Sequence, residues 1–189
     1  AGSDMEQTAE IRMHLPGLLQ RLNVRSMLDI PCGDFHWMKD VQLDVDYTGA
    51  DIVDEMIERN QVSYASDKRH FRILNLATDQ LPRVDAIFCR DALVHFSFED
   101  VFRALDNIID SGSTYLITTT FVDRRRNPDI LTGQWRALNF QVAPFNFPTP
   151  IESINEKCTE GDGSWGDKCL GVWRVRELAE LLKKQGPGE

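Results

Sequence analysis

Asp91 and His95, four positions apart in CRDALVH, are the pair in this chain best suited to acid–base work. If Ala92 to His95 forms a turn of helix, their side chains share one face and can take a proton from a hydroxyl group. His95 also reads as a packed histidine ahead of the next helix, and Asp91 serves equally as base or substrate anchor. A second chemical stretch is SMLDIPCGDFHW, Ser26 to Trp37. Its apolar run of Met27, Leu28 and Ile30 stops at Pro31-Cys32-Gly33-Asp34. Proline cannot continue a central strand, and glycine lets the backbone turn tightly and approach a ligand. Asp51, 18 residues beyond Gly33, ends a third stretch, DYTGAD. A carboxylate there can accept hydrogen bonds from both ribose hydroxyls, although an exposed aspartate ending a strand has the same pattern.

The loop chemistry selects among nucleosides. A dinucleotide site needs G-x-G-x-x-G so that a pyrophosphate rests on bare amides at a helix N-terminus. Only Gly33 is present here, and Asp34 follows it directly. A carboxylate beside a phosphate costs about 4 kcal/mol per charge pair at an effective dielectric near 20. An acidic, single-glycine loop suits a nucleoside that lacks phosphate and carries positive charge. S-adenosylmethionine (SAM), an adenosine joined to a sulfonium and an amino group, has those properties. Asn75 would close the third strand and accept from the adenine amino group, with the Leu76 amide donating to a ring nitrogen and Ile52 packing on the ring. A turn asparagine is the competing assignment for Asn75. Backbone carbonyls at Cys89-Arg90 would meet the amino group of the ligand.

These residues need elements to hold them. Ile11, Leu15, Leu18, Leu19 and Leu22 repeat at helical spacing, with Ser3/Glu6 or Asp4/Gln7 as caps and Pro16 splitting the segment into two helical pieces. Strands are expected at Asp46 to Asp51, His70 to Leu76, Val84 to Cys89 and Tyr115 to Val122. Phe35 to Met38 suggests a helical turn. Asp54 to Tyr64 should be a helix packed through Met56, Ile57 and Val62. Ser97 opens a capping box with Asp100 in place of Glu or Gln, leading a helix faced by Val101, Phe102, Leu105, Ile108 and Ile109 and stopped by Ser111-Gly112. Residues 123–150 form a long insertion with a short helix near Leu131 to Leu138. Ile151 to Lys157 and Leu170 to Val175 are the last strands, around a Gly/Asp turn at 161–166, and Glu177 to Lys184 is a closing helix. Strands alternating with helices predict an α/β, doubly wound, largely parallel sheet covered on both faces.

Composition sets outer limits. A chain of 189 residues fits one domain, 1–189, burying roughly 70% of its unfolded surface. The net charge of -9 disfavours a phosphate-backbone binder, and Arg124-Arg125-Arg126 is too small a cluster to reverse that. No apolar run reaches the ~20 residues of a membrane span. Cys32, Cys89, Cys158 and Cys169 show no C-x-x-C spacing, which suggests reduced thiols in the cytoplasm and no bound metal.

LDIPCGD, YTGAD, FRILNLATDQLP and VDAIFCRDALVHFS together resemble the motif series of the class I SAM-dependent methyltransferases, over roughly Thr8 to Val122. The resemblance implies a Rossmann-like seven-stranded sheet of order 3-2-1-4-5-7-6 with strand seven antiparallel. It also implies cofactor roles for Cys32, Gly33, Asp51 and Asn75, with S-adenosylhomocysteine (SAH) as product. Pro31 and Phe35 replace the first and third glycines of the family's loop, and Asn75 replaces its strand-three acid. Thr8 and Arg12 are placed to reach the methionine carboxylate, and Asp29, Ile52, Leu76 and Arg90 complete the expected cofactor set. Methyl transfer to a hydroxyl would use Asp91 or His95, without a metal. Trp37, Arg124, Trp135 and Arg136 are the expected acceptor contacts, stacking on a sugar or flat molecule and holding a phosphate or carboxylate. The acceptor expected is small and polar, a sugar or glycan among the candidates, and neither nucleic acid nor membrane. The alternatives are an NAD(P)-dependent oxidoreductase of related fold and a non-catalytic SAM-binding interaction module.

Overall fold

The computed structural model describes residues 2–185; residue 1 and residues 186–189 of the expected domain lie outside the described residues. Seven strands form one sheet: β1 Ser26–Asp29, β2 Asp46–Asp51, β3 Arg69–Ile73, β4 Ala86–Cys89, β5 Tyr115–Phe121, β6 Glu152–Asn155 and β7 Lys168–Arg174. Their order is β3-β2-β1-β4-β5-β7-β6, as the family resemblance implies. β1 to β5 run parallel, and β7 pairs antiparallel with both β5 and β6. Among the described residues four α-helices accompany them: α1 Ala9–Arg21, α2 Asp54–Tyr64, α3 Phe98–Asp110 and α4 Val175–Gln185. No helix among the described residues is long and apolar enough to cross a membrane.

Successive strand residues point to opposite faces, so each buried strand feeds two cores. Leu28, Ile87, Leu116 and Trp173 join Val101, Leu105 and Ile108 of α3 and Leu178 of α4 on one side. Met27, Phe88, Ile117 and Leu170 join Ile11, Leu15 and Leu18 of α1 on the other. Pro16 does not divide α1, which runs unbroken through it. Burying Ile11, Leu15, Leu18 and Leu19, at about 1.5–3 kcal/mol each, outweighs the ~3 kcal/mol an interior proline costs. Asp4 caps the turn ahead of this helix, its Oδ1 accepting from the amides of Glu6 (3.1 Å) and Gln7 (2.9 Å).

Several expectations are corrected. In α2 Ile57 is buried as expected, but Val62 is exposed and Asn60 is buried in its stead, because Asn60 has a polar partner in the first loop. The turn after that loop is a 3-10 turn at Met38–Asp40, later than Phe35 to Met38. β3 ends at Ile73, short of Asn75. The capping box is half formed: Ser97 Oγ accepts from the Asp100 amide at 3.2 Å, while the Asp100 carboxylate binds Thr132 and Arg103. Residues 131–138 are not helical. Gly133 stands at φ +101°, and the amides of Gly133 and Arg136 donate to the carbonyls of His95 (2.8 Å) and Val94 (3.1 Å). Phe140, Phe145 and Phe147 of the insertion are buried in the core with Trp173, whose Nε1 donates to the Pro148 carbonyl at 2.8 Å.

Candidate active site

Two cavities open at the carboxyl ends of the parallel strands, the position where open α/β sheets take ligands. The larger, about 880 Å³, contains Asp29, Cys32, Gly33, Trp37, Arg90 and Trp135 in its lining. The smaller, about 570 Å³, is walled by Ile30, Ile52, Val53, Leu74, Asn75 and Leu76. Pro31, Asp51, Met56, Asp91 and His95 border both. Twelve of the sixteen site residues expected from the sequence therefore line two adjoining chambers, with Asp91 and His95 on the shared border.

The loop after β1 is fixed from β2 and α2. Gly33 has φ +57°, where a side chain would be strained. Its amide donates to Asp51 Oδ2 at 3.1 Å, and its carbonyl accepts from Asn60 Nδ2 at 2.8 Å. Asp51 Oδ1 accepts from the Val53 amide at 3.1 Å, so one carboxylate ties this loop to the start of α2. Phe35, in place of the family's third glycine, is also left-handed at φ +59° and is buried against Tyr47, Tyr64 and Phe71. Asn75 Oδ1 accepts from the Ala77 amide at 2.9 Å, the local bond of a turn asparagine. Ile52 is exposed on the wall of the smaller cavity.

Asp29 lies almost wholly buried and accepts from the Tyr47 hydroxyl at 2.5 Å. Burial pushes its carboxyl up to about 7; the Tyr47 hydrogen bond and the Arg90 charge oppose the rise, and Asp51 adds to it. Nearby thiols are pushed up as well, Cys89 to about 12, chiefly by burial. Between the ordinary carboxylate value of 3.8 and about 7, the folded chain holds a proton at Asp29 that the unfolded chain has released. The stabilisation is thus complete below 3.8 and lost as pH rises through about 7. Urea unfolding of the wild type from pH 4 to pH 8 should show a fall that Asp29→Asn lacks, up to roughly 4 kcal/mol in the difference. Parallel pH curves for the two proteins would count against a buried, protonated Asp29.

A cluster of four charges forms one wall. Arg90, just past β4, pairs with Glu156 (Nη2 to Oε2, 2.7 Å) and with Asp91 (Nη1 to Oδ2, 3.3 Å). Lys168, opening β7, pairs with Asp91 Oδ2 at 2.7 Å and Glu156 Oε2 at 3.4 Å. Burial disfavours the Arg90 cation, but the two carboxylates outweigh it and raise its affinity for the proton. The Arg90 guanidinium also stands 5.7 Å from the centre of the Trp37 ring. Asp91 adopts φ +54°, a strained conformation for a non-glycine residue, with its amide donating to Thr119 Oγ1 at 2.9 Å.

His95 ends a 3-10 turn, Leu93–His95, and its Nδ1 lies 3.0 Å from the Gln134 carbonyl. A carbonyl can only accept, so Nδ1 carries the proton, and the neutral ring keeps its lone pair on Nε2. The insertion thereby sets the tautomer of the candidate base.

Four expected site residues lie outside both cavities. Thr8 is buried, its hydroxyl donating to the Asp4 carbonyl at 2.8 Å, and Arg12 donates to the Met5 carbonyl at 2.9 Å. Arg136 is buried over Phe98 and donates to the Phe96 carbonyl at 2.7 Å. Arg124 clasps Asp167 through Nε (2.9 Å) and Nη2 (2.6 Å). Conversely, Trp165, Lys168, Glu160 and Phe121 line the larger cavity without having been expected there, and Asn60 and Glu156 support it. The apolar run after Lys168 marks a strand, but nothing local tells that its first residue faces a site.

No family model and no curated protein sequence matches this chain. Solved structures do. The N-methyltransferase NodS from Bradyrhizobium japonicum, in complex with SAH, aligns at a TM-score of 0.62 and 17% identity, covering 92% of this chain and 89% of that one. Human N-acetylserotonin methyltransferase in complex with SAM aligns at 0.55 and 13% identity, covering 71% of this chain. The methyltransferase domain of a bacterial Hen1 protein aligns at 0.52 and 12%, covering 60% of this chain. The alignments span 45% of the human enzyme and 66% of the Hen1 domain. Strand order, the antiparallel β7 and these structural matches agree: the chain has the Rossmann-like fold of the class I SAM-dependent methyltransferases.

Proposed function

We propose that the chain transfers a methyl group from SAM to a hydroxyl of a small polar acceptor of the sugar or glycan class, releasing SAH. The observation that carries this reading is the pair of chambers meeting at Asp91 and His95, with Asp51 at their shared border. The residues present fit a cationic nucleoside. Asp34, Asp51 and Asp91 line the larger chamber, and the loop lacks the glycines that would bare its amides to a pyrophosphate.

Asp51 would hold the ribose hydroxyls. Ile52, Leu76 and Asn75 would enclose the adenine; the Asn75 carbonyl oxygen keeps a second lone pair beside its bond to Ala77. Cys32 and Gly33 shape the loop beneath the ligand, and Asp29 and Arg90 border the end where its amino group would lie. Bound SAM supplies an electrophilic methyl carbon on a sulfonium, open to in-line displacement. The protein's part is to align an acceptor oxygen, keep water out and take the proton. His95 Nε2 suits the last task, and Asp91, held by Lys168 and Arg90, suits orienting the hydroxyl. We assign the whole chain to one catalytic unit, with residues 123–150 as its acceptor-side arm. The four free cysteines support a reducing, cytoplasmic setting, and the net charge of -9 supports a small-molecule acceptor over nucleic acid.

Calorimetric titration with SAM, SAH and NAD(P) is the first test: SAM and SAH bind and the dinucleotides do not. The reverse result identifies an oxidoreductase. Labelled-methyl transfer to an acceptor panel follows. There His95→Ala should cut turnover by about 10²–10⁴-fold while SAM affinity changes little. Full turnover in both His95→Ala and Asp91→Asn would remove both from the proton transfer, and SAM binding without transfer to any acceptor favours the non-catalytic module.

A further inference from the structure

Beyond the chambers' shared border, the larger one carries a wall of three aromatic rings from three separate segments. Phe121 ends β5, Trp135 lies in the insertion, and Trp165 lies in the turn before β7. The rings stand edge to face, with centroids 4.7 Å apart for Trp135–Trp165 and 5.9 Å for each contact with Phe121. Trp165 is held from behind. Arg124 lies 5.2 Å over its ring while clasping Asp167, and a Cβ on Gly161 would come within 2.5 Å of its Nε1. Trp135 meets Trp165 and Phe121 edge to face and remains 43% exposed. It follows Gln134, the residue that fixes His95, and Phe121 is the register partner of Lys168, which holds Asp91. A ring stacked on Trp135 therefore lies in the chamber that both candidate catalytic groups also line.

The same wall has little to offer an anion. Arg124 is engaged with Asp167, and Lys168 and Arg90 with Asp91 and Glu156; Arg136, bonded to backbone carbonyls through Nη1 alone with Nε and Nη2 unpartnered, is buried outside the cavity lining. Arg59, another cation on the cavity lining, belongs to α2, which packs on β2 and β3, across β1 and β4 from the indoles. The carboxylates of Asp34 and Glu160 border the cavity and would repel a phosphate. A neutral pyranose suits these surroundings: its C–H face covers an indole, and its hydroxyls donate to carboxylates at the ring edge. A planar aromatic acceptor would leave the polar walls unpartnered.

We infer that the acceptor is an uncharged, phosphate-free pyranoside whose ring stacks on Trp135, with Trp165 and Phe121 setting the depth at which it lies. This deepens the methyl-transfer reading and rests on it for the chemistry, but stacking is measurable without turnover. The test is indole N–H NMR on ¹⁵N-tryptophan protein saturated with SAH, with Trp135→Ala and Trp165→Phe assigning the two signals. The ligands are methyl β-D-glucopyranoside, methyl α-D-mannopyranoside, methyl α-L-rhamnopyranoside and methyl β-D-xylopyranoside, against glucose 6-phosphate, UDP-glucose and catechol. At least one neutral glycoside should shift both indole signals with millimolar affinity, weakened tenfold or more in Trp135→Ala. The phosphorylated sugars and catechol should bind no more tightly than that glycoside. The inference is overturned if no neutral glycoside moves the indoles, or if a phosphorylated sugar or catechol binds tenfold more tightly. Trp135 is exposed, so its truncation leaves the fold in place; should it unfold the chain, Trp165→Phe must still weaken the glycoside. Failure of SAH to bind in the same samples counts against the methyltransferase reading and leaves the stacking result to stand on its own.

Discussion

Glu156→Ala should destabilise the fold by about 3–5 kcal/mol, the largest loss expected from any single truncation beside the site. The Glu156 side chain is 1% exposed and receives Arg90 through two nitrogens as well as Lys168. Without it two buried cations share Asp91, which is 29% exposed and lies 3.3 Å from Arg90. The penalty is that of desolvated charge left short of a partner, which exceeds the worth of the ion pair itself. Glu156→Gln, keeping an acceptor but losing the charge, should cost less. Pairing Glu156→Leu with Arg90→Met should recover part of the loss, because it removes charge of both signs. Urea unfolding at neutral pH measures all three, and a cost under about 1 kcal/mol for Glu156→Ala would show that this wall is held by other contacts.

Asp51→Ala should weaken SAM binding by about a hundredfold or more, equivalent to about 2.7 kcal/mol. Two effects add. The proposed ribose acceptor disappears, and the Gly33 and Val53 amides lose their partner, releasing the loop that floors the site. Charge-assisted hydrogen bonds contribute about 1.5–3 kcal/mol each, so either effect alone would be easily measured. Asp51→Asn retains one acceptor oxygen and should fall between the two. Calorimetry decides the matter: unchanged affinity in the alanine variant would remove Asp51 from the cofactor site.

Much of this architecture is legible in the amino-acid order because its signals are local. β2 and α2 have the bounds expected, since DYTGAD ends in an acid and the following residues open a helix. The first loop is equally readable from Pro31 and Gly33. Asn60 and Val62 show where periodicity misleads: an amide is buried because it meets the Gly33 carbonyl, and a valine is left outside. The charged wall was invisible for another reason. Arg90 and Glu156 are 66 positions apart, and Asp91 and Lys168 are 77 apart. Only the placement of β7 against β5 brings them together. Arg124 and Arg136 look like anion anchors in sequence because their partners, Asp167 at 43 positions and the carbonyls of Val94 and Phe96 at 42 and 40, are also far along the chain.

The bond between Gln134 and His95 also bears on how such a scaffold can change its preferences. On the proposed reading, selectivity and reactivity share a backbone of two consecutive residues, since the Gln134 carbonyl steadies the imidazole and Trp135 offers the broad indole surface. A foreign loop over residues 132–136 that moved the carbonyl at position 134 would therefore release the imidazole along with altering the fit. The turn at 161–166, which reaches the same chamber through Trp165 and makes no bond to His95, is the segment that can diversify without that penalty.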